Sequence, residues 1–162
     1  MTDSTAVRGY PSDAVPEQLH VHLRTPVDWD VRLLPGALFA LTAPEREGEF
    51  TANVLVTTAR VSQDATAQSA YRQLVPALER LPGYECIGSG PRSLAGLAGI
   101  AHDAAFRVPD GTTLVQCHWI AAVPRGLSND LLHITGTAAA DHGHRDLPVL
   151  RDAIASLAIV VP

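Results

Sequence analysis

Apolar and polar positions along the chain fall into two periods. Leu19-His20-Val21-His22-Leu23 alternates with period two, the spacing of a pleated strand with one face turned inward, and Pro26 ends the run. Trp29-Asp30-Val31-Arg32-Leu33-Leu34 and Gly36-Ala37-Leu38-Phe39-Ala40-Leu41 flank a Pro35-Gly36 turn pair and predict a hairpin. After a polar loop from Pro44 to Glu49, the run from Phe50 to Val61 is rich in Val and Thr, which suit a pleated surface. The period then lengthens. Tyr71, Leu74, Leu78 and Leu81 are spaced 3, 4 and 3 apart, which places them on one helical face. Asp64 or Thr66 stands where a side-chain oxygen caps that helix, and Pro82-Gly83 stops it. Pro76 lies inside it and predicts a kink or a split, because proline lacks an N–H and crowds the preceding turn.

Four extended segments follow: Glu85 to Ser89, Leu97 to Val108, Thr112 to Val123 and Asp130 to Ala139. Pro109-Asp110-Gly111 joins the second to the third, and the polar link from Pro124 to Asn129 joins the third to the fourth. Links this short require antiparallel pairing, since a parallel pair needs a long crossover. Leu147, Leu150, Ile154 and Leu157 repeat the 3, 4, 3 spacing and predict a closing helix capped by Asp146, with Pro148 in its first turn. The fold class expected is α+β, a two-layer sandwich in which an antiparallel sheet is packed by two helices. Residues 1–17, interrupted by Gly9, Pro11 and Pro16, read as a flexible lead, and residues 18–162 as one domain.

Composition adds bounds. The chain has 162 residues, 46% hydrophobic and 18% charged, which fits one folded domain and excludes wholesale disorder. The net charge of −5, with all 12 cations arginine, weighs against a nucleic-acid partner, which selects a basic stripe. No stretch approaches the ~18 apolar residues of a membrane helix. The start has no basic segment leading into an apolar run and no cysteine to take a lipid, so the expected location is the cytoplasm. Cys86 and Cys117 are then expected to be reduced and buried, and Trp29 and Trp119 to anchor the core or its edge.

Gly48-Glu49-Phe50-Thr51-Ala52-Asn53-Val54-Leu55-Val56, after a tryptophan-led hairpin, resembles the "G-F-x-x-N-V-x-V" strand of PsbP-like proteins, closest to the actinobacterial LpqN/LpqT group and its DcrB relatives. The helix end Leu78-Glu79-Arg80-Leu81-Pro82-Gly83-Tyr84, the turn Leu94-Ala95-Gly96-Leu97 and the closing Ile154-Ala155-Ser156-Leu157 fit the same pattern. The resemblance spans about residues 27–158. Glu49 separates Gly48 from Phe50, and the signal and lipobox of the largely lipoprotein LpqN group are not found. The resemblance implies an accessory or binding protein. PsbP-like proteins support photosystem assembly, a related import factor binds the GTPase Ran, and DcrB-like Eag chaperones hold hydrophobic segments of effectors. It implies no catalytic residue and no cofactor.

The residues themselves offer little catalysis. Asp141-His142-Gly143-His144-Arg145-Asp146 carries imidazoles and carboxylates that ligate zinc or nickel, but His142 and His144 are only two good ligands where a stable site takes three or four. A solvated loop running into a helix cap accounts for the same residues. His20 and His22 share a strand face, as exposed strands also do. Cys117 and His118, like His102 and Asp103, are neighbours on a strand and point to opposite faces, so neither pair makes a nucleophile with its base. Gly88-Ser89-Gly90-Pro91 lacks the phosphate-loop pattern and reads as a turn.

The meander says more. Val115, Cys117, Trp119, Ala121 and Val123 share one face and are expected under the two helices. The other face is expected to lie open, bearing Leu114, Gln116, His118 and Ile120 with His133, Thr135 and Thr137 of the next strand. Aliphatics among hydrogen-bonding groups suit a partner surface, and histidines there would make binding change between about pH 5 and 8. An open face that is simply solvated has the same pattern. The expected function is a non-catalytic binding or adaptor domain that recognises a protein partner, or a second copy, on this face. The alternatives are a chaperone-like binder of apolar segments or a lipid-like ligand in a groove between sheet and helix, and a metal-dependent enzyme using His142 and His144.

Overall fold

The structure is a computed structural model and describes residues 10–12 and 15–162. Its elements follow in the order β1 (His20–His22), β2 (Asp30–Arg32), β3 (Phe39–Thr42), β4 (Asn53–Ser62), α1 (Ala67–Glu79), β5 (Glu85–Leu94), β6 (Leu97–Arg107), β7 (Thr113–Pro124), β8 (Ser128–Ala139), a 3₁₀ turn (Ala140–His142), α2 (Gly143–Ala155) and β9 (Ala158–Val160). Seven strands form one sheet in the order β2-β3-β4-β8-β7-β6-β5, antiparallel at every step. The α+β sandwich expected from the sequence is therefore present. β1 pairs with β9 in a separate two-stranded ribbon, an element that the C-terminal residues did not announce.

The turns set the registers. Ala95 and Gly96, with φ of 51° and 75°, close β5 on β6, both in the left-handed region that a tight two-residue hairpin needs. At the next turn the Asp110 carboxylate accepts from the Thr112 N–H at 2.8 Å, and Gly111 takes a φ of +90°. β5 runs five residues beyond its expected end at Ser89, straight through Pro91. It is an edge strand, where a missing N–H breaks no ladder bond on the outer side.

Thr66 caps α1 with a reciprocal box: its hydroxyl accepts from the Ser69 N–H at 3.1 Å, and the Ser69 hydroxyl accepts from the Thr66 N–H at 3.0 Å. Of the kink or split expected at Pro76, the split does not occur. The helix passes through it as one piece, with the proline on the solvent side. α2 starts at Gly143, four residues before the expected Leu147, because the 3₁₀ turn after β8 leads directly into it. Asp146 therefore lies in its first turn rather than at its cap, and Pro148 is interior.

One face of the sheet packs under α2. Val54, Val56, Trp119, Leu132 and Ile134 meet Leu150, Ala153, Ile154 and Leu157 in the main core. Trp29 packs at its edge and Trp119 is only 1% exposed. Two glycines permit this fit. A Cβ on Gly136 would stand 3.3 Å from Leu150 Cβ, and one on Gly99 would stand 2.5 Å from Trp119 Nε1. The indole over Gly99 donates to the Arg92 carbonyl at 2.9 Å.

α1 lies on the opposite face, over β6 and β7, where Tyr71 reaches His102. The expectation that both helices cover the Val115–Val123 face is corrected. The link from β4 to the far edge strand β5 must cross the sheet, and it crosses on the side away from α2. A second small core, Phe106, Leu114 and Ala139 with Phe50, Leu81 and Val108, closes that side below the helix end.

Asp130 binds the chain ends to this frame. It accepts from Arg60 at 2.9 Å and from Arg125 at 2.9 Å. The same guanidiniums donate to the carbonyls of Pro16 at 2.6 Å and Glu17 at 2.7 Å. Most of the expected lead, residues 1–9, 13 and 14, lies outside the described residues. Cys86 and Cys117 are free, as expected, but Cys86 is exposed because β5 has no neighbour beyond it.

Gly99→Ala should lower stability by about 1–3 kcal/mol, since the added methyl meets the indole and the Ile120 carbonyl at once. Urea denaturation of the variant measures this, and an unchanged midpoint would show that Trp119 moves aside freely.

Candidate functional site

The register places one continuous row of side chains across all seven strands on the α1 side of the sheet. Ser89 lies opposite His102, His102 opposite His118, His118 opposite Thr135, Thr135 opposite Leu55, Leu55 opposite Ala40 and Ala40 opposite Arg32. A second row runs Ala104, Gln116, Thr137, Asn53, Thr42 and Asp30. The residues that alternation grouped on one face are thus together, and they divide into a covered half and an uncovered half.

The covered half is a polar network. Gln116 donates to Thr137 Oγ1 at 3.2 Å and presents its amide oxygen to His118 Nε2 at 3.1 Å. An amide oxygen only accepts, so His118 carries its proton on Nε2 and accepts on Nδ1. His133 Nε2 is 3.0 Å from that Nδ1, and Thr135 Oγ1 is 3.1 Å from His133 Nε2 and 3.3 Å from His118 Nδ1. Beside it, His102 is held at both ring nitrogens by tyrosine hydroxyls, Tyr71 at 3.0 Å from Nδ1 and Tyr84 at 3.0 Å from Nε2. The His118 and His133 rings stack with centroids 5.3 Å apart.

The open face expected here is corrected. Leu114, His118, Ile120 and Thr137 are buried, and Gln116, His133 and Thr135 are partly so. Burial first, then the neighbouring His133 and His102, pushes the His118 imidazole down to about 3. Burial also pushes His133 and His102 down. His118 stays neutral across the pH 5–8 window in which it was expected to switch.

The uncovered half is a groove of about 340 Å³ over β2, β3 and β4, lined by Arg32, Leu34, Ala40, Thr42, Glu45, Thr51, Asn53 and Leu55. Its floor is apolar and its rim carries one charge of each sign. It continues the network rows and lies away from α1, where the alternative reading placed a groove between sheet and helix.

The other motifs are dispersed. Arg145 donates to both oxygens of Asp146, at 2.8 and 3.0 Å, and to Glu49 at 2.8 Å. That bond holds the Glu49 carboxyl below its usual range. Glu49, 3.8 Å from His142 Nε2, is therefore already engaged by a guanidinium, and His144 is exposed on α2. Among the described residues no group of three or more His, Cys, Asp and Glu is arranged to hold a metal ion. His20 and His22 are exposed on β1. Cys117 and His118 face opposite sides as expected, and burial, then Asp103, pushes the Cys117 thiol up to about 11, so it is no thiolate nucleophile at neutral pH. Among the described residues no helix is long and apolar enough to cross a membrane.

Tyr71, Tyr84 and His102 were missed as members of the network. The hairpin turn held a signal for one of them: pairing outward from Asp110 puts position 102 opposite position 118. Tyr71 reads only as part of an apolar helical stripe.

The network's histidines are neutral when folded and take up protons when unfolded. Stability is therefore full above the ordinary histidine value of about 6.5 and falls as pH drops below it, by up to about 1.4 kcal/mol per pH unit for His118 down to its folded value. Urea midpoints at pH 7, 6 and 5 should fall in that order, and His118→Gln should flatten the slope. An equal slope in the variant would remove His118 as a cause.

No family model matches the chain, and no curated protein matches it. Solved structures do. LpqN of Mycobacterium tuberculosis, described as involved in cell envelope biogenesis, is 14% identical with a TM-score of 0.76 over 91% of this chain and 86% of its own. The cyanobacterial PsbP protein of Synechocystis is 16% identical with a TM-score of 0.58 over 96% and 98%. The Ran-binding protein Mog1p of Saccharomyces cerevisiae is 11% identical with a TM-score of 0.54 over 85% and 89%. The sheet, its two flanking helices and these likenesses together give the chain a PsbP-like fold, close to that of LpqN.

Proposed function

We propose that the chain is a non-catalytic binding domain that takes an extended protein segment in the groove over β2, β3 and β4. The observation that carries this reading is the division of one sheet face. α1 lies over the β6–β7 part of this face, and the same rows emerge on β4, β3 and β2 as a groove that, among the described residues, neither helix lines.

The groove's chemistry favours a peptide. Leu34, Ala40 and Leu55 receive an apolar side chain, while Thr42, Thr51 and the Asn53 amide oxygen offer hydrogen bonds to a backbone. Arg32 and Glu45 at the rim accommodate either charge. A lipid-like tail would leave those polar groups without partners, at a cost of about 1–3 kcal/mol for each one buried. The likeness to a Ran-binding protein adds support that this fold serves protein recognition. The sealed half acts on the site indirectly: Thr137 and Thr135 stand beside Asn53 and Leu55 and hold that wall in register.

A peptide library displayed against the chain should yield binders, and Leu55→Arg should weaken them about tenfold, which is about 1.4 kcal/mol. Leu127→Arg, on the exposed β7–β8 turn, should leave them unchanged. Binders that tolerate the Leu55 change equally would place recognition elsewhere.

A further inference from the structure

The two edges of the sheet are unlike. β5 at one edge carries Pro91 in mid-strand and a register shift between Cys86 and Gly88. Both devices block another strand from adding there, since proline offers no donor and a bulge turns the ladder aside. β2 at the other edge has neither, and among the described residues no strand lies beyond it. It also exposes Val31, 72% accessible, on the face where its inner neighbour Leu41 is buried, and Leu33, just past the strand, is 88% exposed.

From these features we propose that two copies of this chain join edge to edge through β2, continuing the sheet across a two-fold axis at Val31. The charges select this pairing. With Val31 opposite Val31 of the second copy, antiparallel geometry sets Asp30 opposite Arg32 and Arg32 opposite Asp30, two reciprocal ion pairs on one face. Sliding by two residues either way sets Asp30 opposite Asp30 or Arg32 opposite Arg32, which repels; the first slide would offset this only by bringing Arg32 to Asp28, which lies in the turn before β2 and outside the strand. Sliding by one reverses the faces of every side chain. The favoured register also sets Trp29 opposite Leu33 twice, so the exposed leucine meets the indole edge of the other core. Asp-Val-Arg is thus its own complement when read in the opposite direction. Among the described residues of a single copy, Asp30 and Arg32 pair with each other, at 3.4 Å. The ribbon is short, so the association is weak and reversible.

Sedimentation of the full chain from about 10 μM to about 1 mM tests this, a range suited to small interfaces. The mean mass should rise with concentration from 17.2 kDa toward twice that value. Asp30→Arg or Arg32→Asp alone should weaken association about tenfold, because each sets like charges face to face twice. The double variant Asp30→Arg with Arg32→Asp should restore it, and an equimolar mixture of the two single variants should associate as well as the unaltered chain. Both positions are exposed, and circular dichroism checks that each variant is folded. A constant mass of 17.2 kDa at every concentration would overturn the proposal. So would single variants that associate unchanged, or a double variant that fails to recover.

Discussion

Strands β7 and β8 bury side chains on both faces, and the rest of the molecule is arranged around satisfying them. Toward α2 they present Cys117, Trp119, Ala121, Leu132 and Ile134, which need only apolar partners and close packing. Toward α1 they present Gln116, His118, His133, Thr135 and Thr137, polar groups whose burial is costly unless each finds a hydrogen bond. The strands meet that demand among themselves. Gln116 bonds Thr137 and His118, His118 meets His133, and Thr135 bridges the two imidazoles. Such a network forms only in one register, because a shift by one residue would send these side chains into the apolar core.

That constraint gives α1 its place. A helix above polar strands cannot be a uniformly apolar cover, and α1 is not one: Leu78 is its only buried residue, and Tyr71 meets His102 through its hydroxyl. Tyr84, just after the helix, takes the other nitrogen of the same ring. Neutral imidazoles suit this setting because each acts as donor at one nitrogen and acceptor at the other. Burial favours the same neutral form. The buried histidines hold the platform in register, and the groove proposed for recognition lies on the adjoining strands where the helix ends its cover.

What lies beyond the helix is the thin end of the sheet. β2 and β3 are short, of three and four residues, and rest on β4 without a helix on the α1 side. β3 buries Leu41 toward the core and Ala40 on the other face, whereas all three residues of β2 are exposed. A groove on the face and a strand at the edge are the two ways such an end can meet another chain, and Arg32 of β2 takes part in both. Arg32 and Leu34 line the groove, whereas Val31, opposite Leu41, points to the other face.

The order and type of the main elements were legible in the chain: two helices from their 3, 4, 3 spacing, strands from alternation and β-branched runs, antiparallel pairing from short links. Local physics determines these. Even the row joining His102, His118 and Thr135 was implicit in the turn centres, since a hairpin fixes its register from its loop outward. Alternation also grouped Gln116, His118, His133, Thr135 and Thr137 on one face. It could not say what covers that face, because a period of two is the same whether water or a helix lies above. The placement of α1 opposite α2, the pairing of β4 with β8 and of β1 with β9, and the sealing of the histidines all join residues far apart in the chain. Only the closed tertiary structure decided them, because which face a crossing helix takes depends on the combined burial of every strand beneath it.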